Sequence, residues 1–413
     1  MSETIMCTLR FATPPVARRI AEEGRYKLLP LDLWVFDSPG LVGAARAHYP
    51  AWAGDASSAI SEALSQDEAW LPDMHHHDEG IAASLREAIV HTASEVLPRQ
   101  HLFIDAMTKI IEQTQPSLLL LADDLVWASK TLALLARSLG VPTLHIPHAH
   151  ISANPDPELR DIHDISVASR LAVYGSRMRD YYAGHGYPAE DIAVTGNPLW
   201  DPYATFLAQR DSVRDWFLRS VNLDPRKPTV LYATTFMEGS DDAVWTSLPG
   251  DHFDVFLAAM VAIREQHDVQ LVIKPHPNIV EMSRMGAMRR AALAAGLDGV
   301  AVTPAKEAAL ASCDLIVHTE SNIAIEGMLL GVPSVSMALG WDRAASSLYR
   351  DDDPVLHIHD VDALQPAIAS MLFDQAELAR VSDLMGPAVE RYNFLNDGGA
   401  TDRVLALIDD MLA

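Results

Sequence analysis

The 413-residue chain exceeds the roughly 250–300 residues at which a single hydrophobic core stops growing, so two domains are expected. Hydrophobic residues make up 49% and charged residues 21%, a globular composition that excludes a disordered chain. A formal net charge of −25 repels phosphate backbones and anionic lipid, which excludes nucleic acid as a principal ligand. An anionic substrate must therefore be met by a local arrangement of donors.

The cysteine count and the amino terminus indicate the compartment. Two cysteines far apart in sequence, Cys7 and Cys313, exclude a disulfide framework and fit a reducing cytosol. Met1–Ile5 lacks the basic start and apolar stretch of a secretory signal, and no apolar run approaches the ~20 residues of a membrane span. The sequence predicts a cytoplasmic protein without a transmembrane segment and leaves peripheral membrane contact open.

The first half of the chain alternates short apolar runs with amphipathic stretches, which is typical of βα units and parallel sheets. Strands are predicted at Cys7–Phe11, Tyr26–Leu31, Ser117–Ala122, Pro142–Ile146, Leu171–Tyr174 and Ile192–Thr195. Helices are predicted at Pro14–Glu23, Ile81–Glu112, Val126–Leu139 and from Ser176 onward. The stretch from Pro39 to Gly80 is rich in Ala, Ser, Asp and Trp, which predicts irregular structure.

The same rhythm restarts after Asp224–Pro228, a polar proline-bearing segment that suits a linker. Strands are predicted at Thr229–Ala233, Val269–Ile273, Gly299–Val302, Asp314–Val317 and Pro333–Met337. Helices are predicted at Phe253–Gln266, Val280–Ala295, Ile323–Leu330, Val361–Phe373, Gln375–Tyr392 and Ala400–Leu412. The sequence therefore predicts an α/β fold of two Rossmann-like doubly wound lobes with an interdomain cleft. We expect domains at 1–222 and 223–375, and C-terminal helices at 376–413 that can cross back to the first domain.

Polar residues follow several of the predicted strands. Doubly wound folds bind their ligands beyond the carboxyl ends of the strands, so these residues are candidates for the site. In Lys274–Pro277 the prolines stiffen the turn, so that Lys274 and His276 can donate to phosphate oxygens and stabilise a leaving diphosphate. The alternative is a proline-rich loop with two surface polar residues. Thr234 and Thr235 follow another strand and can supply donors to a phosphate, although such pairs are also common in turns.

The segment His318–Asn322 follows a strand and opens an apolar helix. Ser321 or Asn322 suits the capping position, and with Glu320 beside them the first amides of the helix would form a phosphate site. A plain capped helix is the alternative. Glu326 is the one charge on this helix, its spacing does not fit a capping box, and its burial without a partner would be costly. Its position suits a bidentate grip on a ribose diol.

In the first half, a predicted strand ends at Pro147–His150. His148 leaves that strand directly after a proline and is a candidate general base for an attacking hydroxyl, with a structural histidine as the alternative. His150 and Asp123 are candidate substrate contacts, and Asp123 also suits capping of the next helix. Asn197 lies in a Gly-Asn-Pro turn that we interpret mainly as a backbone device, with a substrate contact as the second interpretation.

No metal site is predicted. His75–His77 and Asp78 are neighbours on one segment and rarely would converge on one ion, so a solvated loop is expected. Asp351–Asp353 lacks the spaced oxygens of an EF-hand loop and predicts a turn beside a helix. The chain has no GxGxxG after its first strand, no GxxxxGK[ST] and no GxSxG, which disfavours dinucleotide oxidoreductases, P-loop enzymes and nucleophile-elbow hydrolases.

Lys274–Pro277 together with Asp314–Pro333 resembles the donor-binding half of GT-B glycosyltransferases. The most similar groups are the capsule-polysaccharide enzymes, the CDP-glycerol glycerophosphotransferases (teichoic-acid polymerases) and the UDP-N-acetylglucosamine 2-epimerase-like proteins. The turn Gly196–Pro198 and the strand Val141–His148 fit the first lobe of the same fold. Motif-level resemblance covers about a third of the chain.

The resemblance implies that His276 and the pair Ser321-Asn322 contact the phosphates of a nucleotide-sugar donor and that Glu326 holds its ribose. It implies His148 as the base, with Ala149-His150 in place of the family's Gly-Thr. Domain 223–375 would then bind the donor and domain 1–222 the acceptor. The resemblance implies no metal, because in this fold helix amides and basic side chains usually neutralise the leaving phosphate. It implies no cofactor either, since the nucleotide-activated sugar is the substrate.

We therefore expect a glycosyltransferase, acting in surface polysaccharide or glycoconjugate synthesis on a glycan, lipid-linked or protein acceptor. Bacterial sialyltransferases share a His-Pro turn and an acidic base motif that Asp78–Gly80 matches in letters, so a CMP-nonulosonate transferase stays open, as does a glycerophosphotransferase. A nucleotide-sugar epimerase or hydrolase fits less well, since the epimerase Arg-Glu-Asn-Thr-Glu-Arg-Pro-Glu signature is absent. A non-catalytic sugar-nucleotide-binding protein is the third class.

Overall fold

The computed structural model describes ten stretches of the chain: residues 3–33, 62, 91–92, 96–123, 127–150, 166–234, 252–276, 282–319, 321–339 and 348–413. The predicted irregular region from Pro39 to Gly80 lies outside them, residue 62 apart. The chain divides into two compact units. The first comprises Met1–Ile146, Ser166–Leu171 and Ile408–Ala413, and the second comprises Pro147–Ile165 and Ala172–Leu407.

Over the described residues, the strands form two six-stranded parallel sheets flanked by helices. The strands of the first sheet are β1 (Thr4–Thr8), β2 (Lys27–Leu31), β3 (Leu118–Leu121), β4 (Thr143–His145), β5 (Arg170–Val173) and β6 (Ile192–Val194). They follow the order β2-β1-β3-β4-β5-β6. The helices of this part of the chain are α1 (Thr13–Glu23), α2 (Leu97–Thr114), α3 (Trp127–Ser138) and α4 (Ser176–Gly184).

The second sheet has the strand order of dinucleotide-binding folds. Its strands are β7 (Thr229–Ala233), β8 (Gln270–Lys274), β9 (Val300–Val302), β10 (Leu315–His318), β11 (Ser334–Met337) and β12 (Val355–Ile358). They are arranged as β9-β8-β7-β10-β11-β12, so the order reverses between β7 and β10. In such sheets the ligand crevice opens at the carboxyl ends of the strands at this reversal.

Nine further helices belong to this second half: α5 (Pro202–Ala208), α6 (Arg210–Ser220), α7 (His252–Arg264), α8 (Met282–Ala294), α9 (Lys306–Ser312), α10 (Ile323–Leu329), α11 (Val361–Phe373), α12 (Gln375–Asn393) and α13 (Ala400–Leu412), as counted among the described residues. None of the helices described is long and apolar enough to cross a membrane.

Strands covered by helices on both faces read as continuous apolar runs, and two strands show this directly. β3 is four consecutive leucines, all buried, and every residue of β7 is buried as well. The core of the second unit includes Tyr232 of β7, whose ring stacks on Phe256 of α7 at a centroid distance of 4.4 Å. Burial of these apolar side chains is the main stabilising term for each sheet.

The predicted α/β architecture of two doubly wound sheets is confirmed, and most element boundaries agree within two residues. The first strand is displaced: it ends at Thr8, not at Phe11, because Phe11 adopts a positive φ of 49° that a strand cannot contain. Thr13 closes this turn, since its hydroxyl donates to the Thr8 carbonyl at 2.6 Å and accepts the Arg10 N–H at 3.0 Å. Sequence reasoning missed α5, α6, α9 and β12, which are short or strongly charged.

One half-buried arginine joins three segments at the amino-terminal edge of the second sheet: α6, the stretch from Pro225 to Thr229, and Asp314. The guanidinium of Arg214 donates to both carboxylate oxygens of Asp314 at 3.1 and 3.0 Å and to the carbonyls of Pro225 and Lys227. Asp314 also accepts the N–H of Thr229 at 2.8 Å. The first residue of the Asp314–Pro333 motif is therefore structural, because it lies at the edge of the sheet opposite the strand ends where ligands bind.

Gly175 marks a close approach between the start of α4 and the backbone of α12. A Cβ at this position would lie 2.2 Å from the Arg391 carbonyl oxygen and 2.7 Å from the carbonyl carbon of Tyr392. We expect Gly175→Ala to lower the free energy of unfolding by about 3 kcal/mol, since backbone atoms cannot move aside as side chains can. Urea denaturation followed by tryptophan fluorescence measures this loss.

Gly184→Ala is the matched control, because a Cβ there meets no atom within 4 Å and α4 already includes the residue. It should change the free energy of unfolding by no more than about 1 kcal/mol. Equal stability of both variants would contradict the described packing of α4 on α12.

Candidate functional site

The carboxyl edge of the second sheet brings together the residues predicted from three separate strands. In register, Lys274 of β8 pairs with Ala233 of β7, which pairs on its other side with His318 of β10. The three strands therefore end side by side, at the point where the strand order reverses. Thr234 follows the first of them and His276 the second.

Thr234 fixes the turn that carries Lys274 and His276. Its N–H donates to the Lys274 carbonyl at 3.1 Å, and its hydroxyl oxygen accepts the His276 N–H at 2.8 Å. The intervening Pro275 has no N–H to donate, so these bonds hold the turn on both sides of it. Thr235 and Pro277 lie outside the described residues, so the predicted role of Thr235 remains a prediction.

Glu326 has partners that the sequence did not reveal. Its side chain is 8% exposed, and its Oε2 lies 2.7 Å from the ammonium of Lys306 and accepts the hydroxyl of Tyr203. Burial, together with this carboxylate, raises the pKa of Tyr203 well above its usual range, so the tyrosine is the donor. Both partners bond the same oxygen, Oε2.

Two lysines, Lys274 and Lys306, interact electrostatically with the Glu326 carboxylate. Lys274 is 6% exposed, and burial lowers the pKa of its ammonium; the neighbouring charge of Lys306 lowers it further, while Glu326 and Glu307 oppose the shift. Burial and the adjacent Lys274 also lower the pKa of His276, which favours a neutral imidazole at neutral pH. The edge thus places two ammonium groups, Lys274 and Lys306, beside the two carboxylates of Glu326 and Glu307.

The loop between β10 and α10 is held by its backbone. The Ser321 N–H donates to Nδ1 of His318 at 3.1 Å, and the Ser321 carbonyl accepts the Tyr349 hydroxyl at 2.5 Å. The hydroxyl oxygen of Ser321 accepts the N–H of Ile323 at 3.4 Å, which leaves its own proton for another acceptor. Glu320, predicted beside this site, is outside the described part of the chain.

Of the two predicted capping residues, Ser321 and Asn322, only Ser321 bonds the first turn of α10 through its side chain. Asn322 stands at the N-cap position but makes no side-chain cap bond. Its amide bonds the backbone of His150 instead, at 3.1 Å from Oδ1 and 3.5 Å from Nδ2. Both polar groups of the predicted phosphate contact are therefore engaged within the protein.

The segment after β4 carries two predicted histidines in different surroundings. His148 is half-buried. His150 is 4% exposed, donates from Nε2 to the Tyr392 carbonyl at 2.6 Å, and packs among the rings of Tyr174 and Trp200. Burial lowers the pKa of His150 to about 3, so its imidazole is neutral. This enclosure suits a structural histidine better than a substrate contact.

Asn197 is also buried, at 2% exposure. Its side-chain oxygen accepts the Leu199 N–H at 3.0 Å, and its own N–H donates to the side chain of Asn393 at 2.8 Å. The preceding Gly196 has a φ of 81°, which favours glycine. These bonds agree with the interpretation of this turn as a backbone device.

Asp123 lies in the first unit, beside a cavity of about 160 Å³ at the carboxyl ends of β1 to β3. Asp32, Arg10 and Trp127 also line this cavity, although most of its wall is apolar. Asp123 itself is 5% exposed. It therefore belongs to a different cluster from the lysines and Glu326 of the second unit.

No three His, Cys, Asp or Glu side chains among the described residues are placed to hold a metal ion. His75–His77 and Asp78–Gly80 fall outside those residues. Asp351–Asp353 forms the predicted turn, but it leads into strand β12 and does not flank a helix. In this turn Asp353 accepts the N–H of Arg350 at 2.8 Å and pairs with the guanidinium of Arg391.

Solved structures share this architecture, two of those described below over nearly the whole chain and one over 72% of it. The UDP-GlcNAc 2-epimerase of Neisseria meningitidis bound to UDP-GlcNAc has a TM-score of 0.57 at 12% identity, covering 98% of this chain and 99% of the other. Anabaena HepE, in complex with UDP and glucose, has a TM-score of 0.50 at 11% identity, covering 99% and 100%. The wall teichoic acid polymerase TagF has 0.50 at 12%, covering 72% of each chain.

These likenesses show a fold of the GT-B type, as the sequence motifs predicted. No protein-family model matches the chain. No curated protein matches it either.

The buried His150 predicts a specific pH dependence of stability. Its pKa is about 3 when folded and ~6.5 when unfolded, so between these values the unfolded chain binds one more proton. The contribution of neutral His150 is fully present above pH 6.5 and is lost as the pH falls toward 3. We expect His150→Gln to reduce the slope of unfolding free energy against pH by about 1.4 kcal/mol per pH unit in this window.

Urea denaturation at pH 8 gives the reference free energy of unfolding for each protein. At this pH the side chain at position 150 is neutral in both wild type and His150→Gln. The two curves should diverge only below pH 6.5. Parallel curves down to pH 4 would mean that His150 is accessible to protons in the folded protein.

Proposed function

We propose that this protein is a metal-independent glycosyltransferase of the GT-B type, which transfers a sugar from a nucleotide-activated donor to an acceptor hydroxyl. The observation that supports this most is the convergence of Lys274, His276, Lys306 and Glu326 at the carboxyl ends of adjoining parallel strands. The strand order reverses at this edge, where α/β sheets bind nucleotides.

Lys274 and Lys306 would neutralise the donor phosphates. Burial and mutual repulsion make the ammonium pair unfavourable in the unliganded protein, and a diphosphate relieves that cost. The remaining hydroxyl proton of Ser321 and the side chain of His276 are further donors at the same edge. Fixed cations of this kind stabilise a leaving phosphate without a metal ion.

Glu326 would hold the ribose through Oε1. Lys306 and Tyr203 both bond Oε2, which restrains the position of the carboxylate. A ribose diol can then donate to the remaining lone pairs. The carboxylate is thereby a built acceptor whose orientation does not depend on the ligand.

His148 would act as the base. The acceptor hydroxyl gives its proton to the imidazole as its oxygen forms a bond to the anomeric carbon of the sugar. The bond from that carbon to the phosphate oxygen breaks, and its electron pair leaves with the nucleotide. Lys274, Lys306 and His276 stabilise the charge that develops on the departing phosphate.

The bound ligands of similar folds support a sugar nucleotide as the ligand class, since UDP-GlcNAc and UDP occur in them. We place the reaction in the synthesis of a surface polysaccharide or glycoconjugate in the cytoplasm, on a glycan, lipid-linked or protein acceptor. CMP-linked acidic sugars and CDP-glycerol are alternative donors. The full-length likeness to an epimerase makes epimerisation the second candidate. Formation of an epimer or free sugar without any acceptor would distinguish it from transfer.

Glu326→Gln tests the donor site. In wild type, a panel of UDP, CMP, CDP, GDP and dTDP compounds should contain at least one ligand that raises Tm. Glu326→Gln should weaken that ligand at least about tenfold, because a hydrogen bond to a charged group contributes about 1.5–3 kcal/mol. Wild type should also prefer the ribonucleotide to its 2′-deoxy analogue, and the variant should lose this preference.

Isothermal titration calorimetry measures both affinities, with the exposed Glu190→Gln as control. Because the comparison is between two ligands on one protein, a loss of stability from the broken Lys306 pair does not affect it. Unchanged discrimination against the deoxy analogue in Glu326→Gln would remove the ribose role.

His148→Ala tests the chemical step. Turnover should fall by about 100- to 10,000-fold, as expected when a general base is removed, while nucleotide affinity stays near that of wild type. Radiolabelled transfer to an acceptor mixture measures turnover, and His185→Ala, a half-buried histidine at the end of α4, is the control. Full activity of His148→Ala would assign the base elsewhere.

A further inference from the structure

The side-chain amide of Asn322 bonds both the N–H and the carbonyl of a single residue, His150, and we call this pair of bonds the bracket. Oδ1 of Asn322 accepts the N–H of His150 at 3.1 Å, and its Nδ2 donates to the carbonyl of the same residue at 3.5 Å. The two residues are 172 positions apart in the chain. Since His150 lies in no helix or strand, Asn322 supplies the partners that secondary structure would otherwise give its peptide groups.

The imidazole of the same residue is held from another direction. Nε2 of His150 donates to the carbonyl of Tyr392, and the ring lies edge-on to Tyr392 and Tyr174. The hydroxyl of Tyr174 donates to the carbonyl of Pro147. The segment Pro147–His150 is thus fastened at its first residue and at its last. His148 lies between these two points.

The loop that carries Asn322 is held by hydrogen bonds of its own. Ser321, directly before Asn322, is bonded through its N–H to His318 and through its carbonyl to Tyr349. Tyr349 and Tyr392 pack with a centroid distance of 5.8 Å. The loop that carries Ser321 and the segment that carries His148 therefore meet at one amide, and each is backed by buried rings.

We propose that Asn322 is a positioning residue, whose side-chain amide fixes the segment carrying His148 relative to the loop carrying Ser321. This proposal rests on the proposed function, in which His148 takes a proton and Ser321 contacts the donor. It differs from a phosphate contact by Asn322, because the carbonyl oxygen and the amino group of the side chain are both bonded to His150. A group held this way governs the geometry of the reaction and leaves ground-state donor affinity unchanged.

Hydrogen exchange tests the bracket without any substrate. In Asn322→Ala the exchange rate of the His150 amide should rise about tenfold, since one buried hydrogen bond contributes about 1 kcal/mol or more. Asn322→Asp retains an acceptor oxygen and should restore protection to within about threefold of wild type. Asn322→Ser keeps a residue type favoured at helix N-caps, and the His150 amide should lose its protection in this variant as it does in Asn322→Ala. The serine variant replaces the alanine variant if the latter folds poorly.

Kinetics test the positioning role. Asn322→Ala and Asn322→Ser should lower kcat by about 100-fold, while nucleotide Kd stays within about threefold of wild type. Asn396→Ala is the matched control, because that side-chain amide donates to the Leu329 carbonyl at 2.7 Å at the opposite end of α10. It should leave both kcat and the His150 exchange rate unchanged.

Two results would overturn the proposal: unchanged exchange of the His150 amide in Asn322→Ala, or a weakening of nucleotide binding by about tenfold with kcat unaffected. The second result would place Asn322 on the donor phosphates. If the His150 amide loses protection as expected but wild type neither binds nor turns over any donor, the bracket stands and the proposed function fails.

Discussion

The pairing of β7 with β10 is the constraint on which the second unit depends. It reverses the strand order, so the chains that leave these neighbouring strands turn to opposite faces of the sheet and leave space between them. Lys274, Ala233 and His318 then stand in register across three strands. The polar groups that follow each strand converge at this edge although they lie far apart in sequence.

The carboxyl edge of the second sheet concentrates charged side chains of both signs. Lys274 is desolvated by the sheet, and Lys306 is placed beside it by a helix that starts just after β9. Glu326 and Glu307 oppose these two charges, and the Glu326 carboxylate is shared between Lys306 and the Tyr203 hydroxyl. Short-range charge of this kind is screened little by solvent, so it acts locally within a chain of net charge −25.

The sheet determines where the loops begin, and buried hydrogen bonds then fix the conformation of those loops. Asn322, His150 and the Tyr392 carbonyl form a chain of hydrogen bonds from the start of α10 to the end of α12. Every such bond replaces water that the buried groups have lost, and breaking one leaves its partner unsatisfied. In the proposed reaction, Asn322 does not itself react, and its hydrogen bonds fix the segment that carries His148.

The sequence by itself determined the α/β class, nearly all strands of both sheets, and the strand-end locations of Lys274, His276 and Ser321, because apolar periodicity and chain punctuation are local properties. It also indicated that Glu326 needed an explanation. Only the tertiary structure supplied its partners Lys306 and Tyr203, since contacts between distant segments follow from packing and leave no local pattern. The same reason applies to Asn322: its residue type favours a helix cap, but the nearby backbone of His150 decided where its amide would bond.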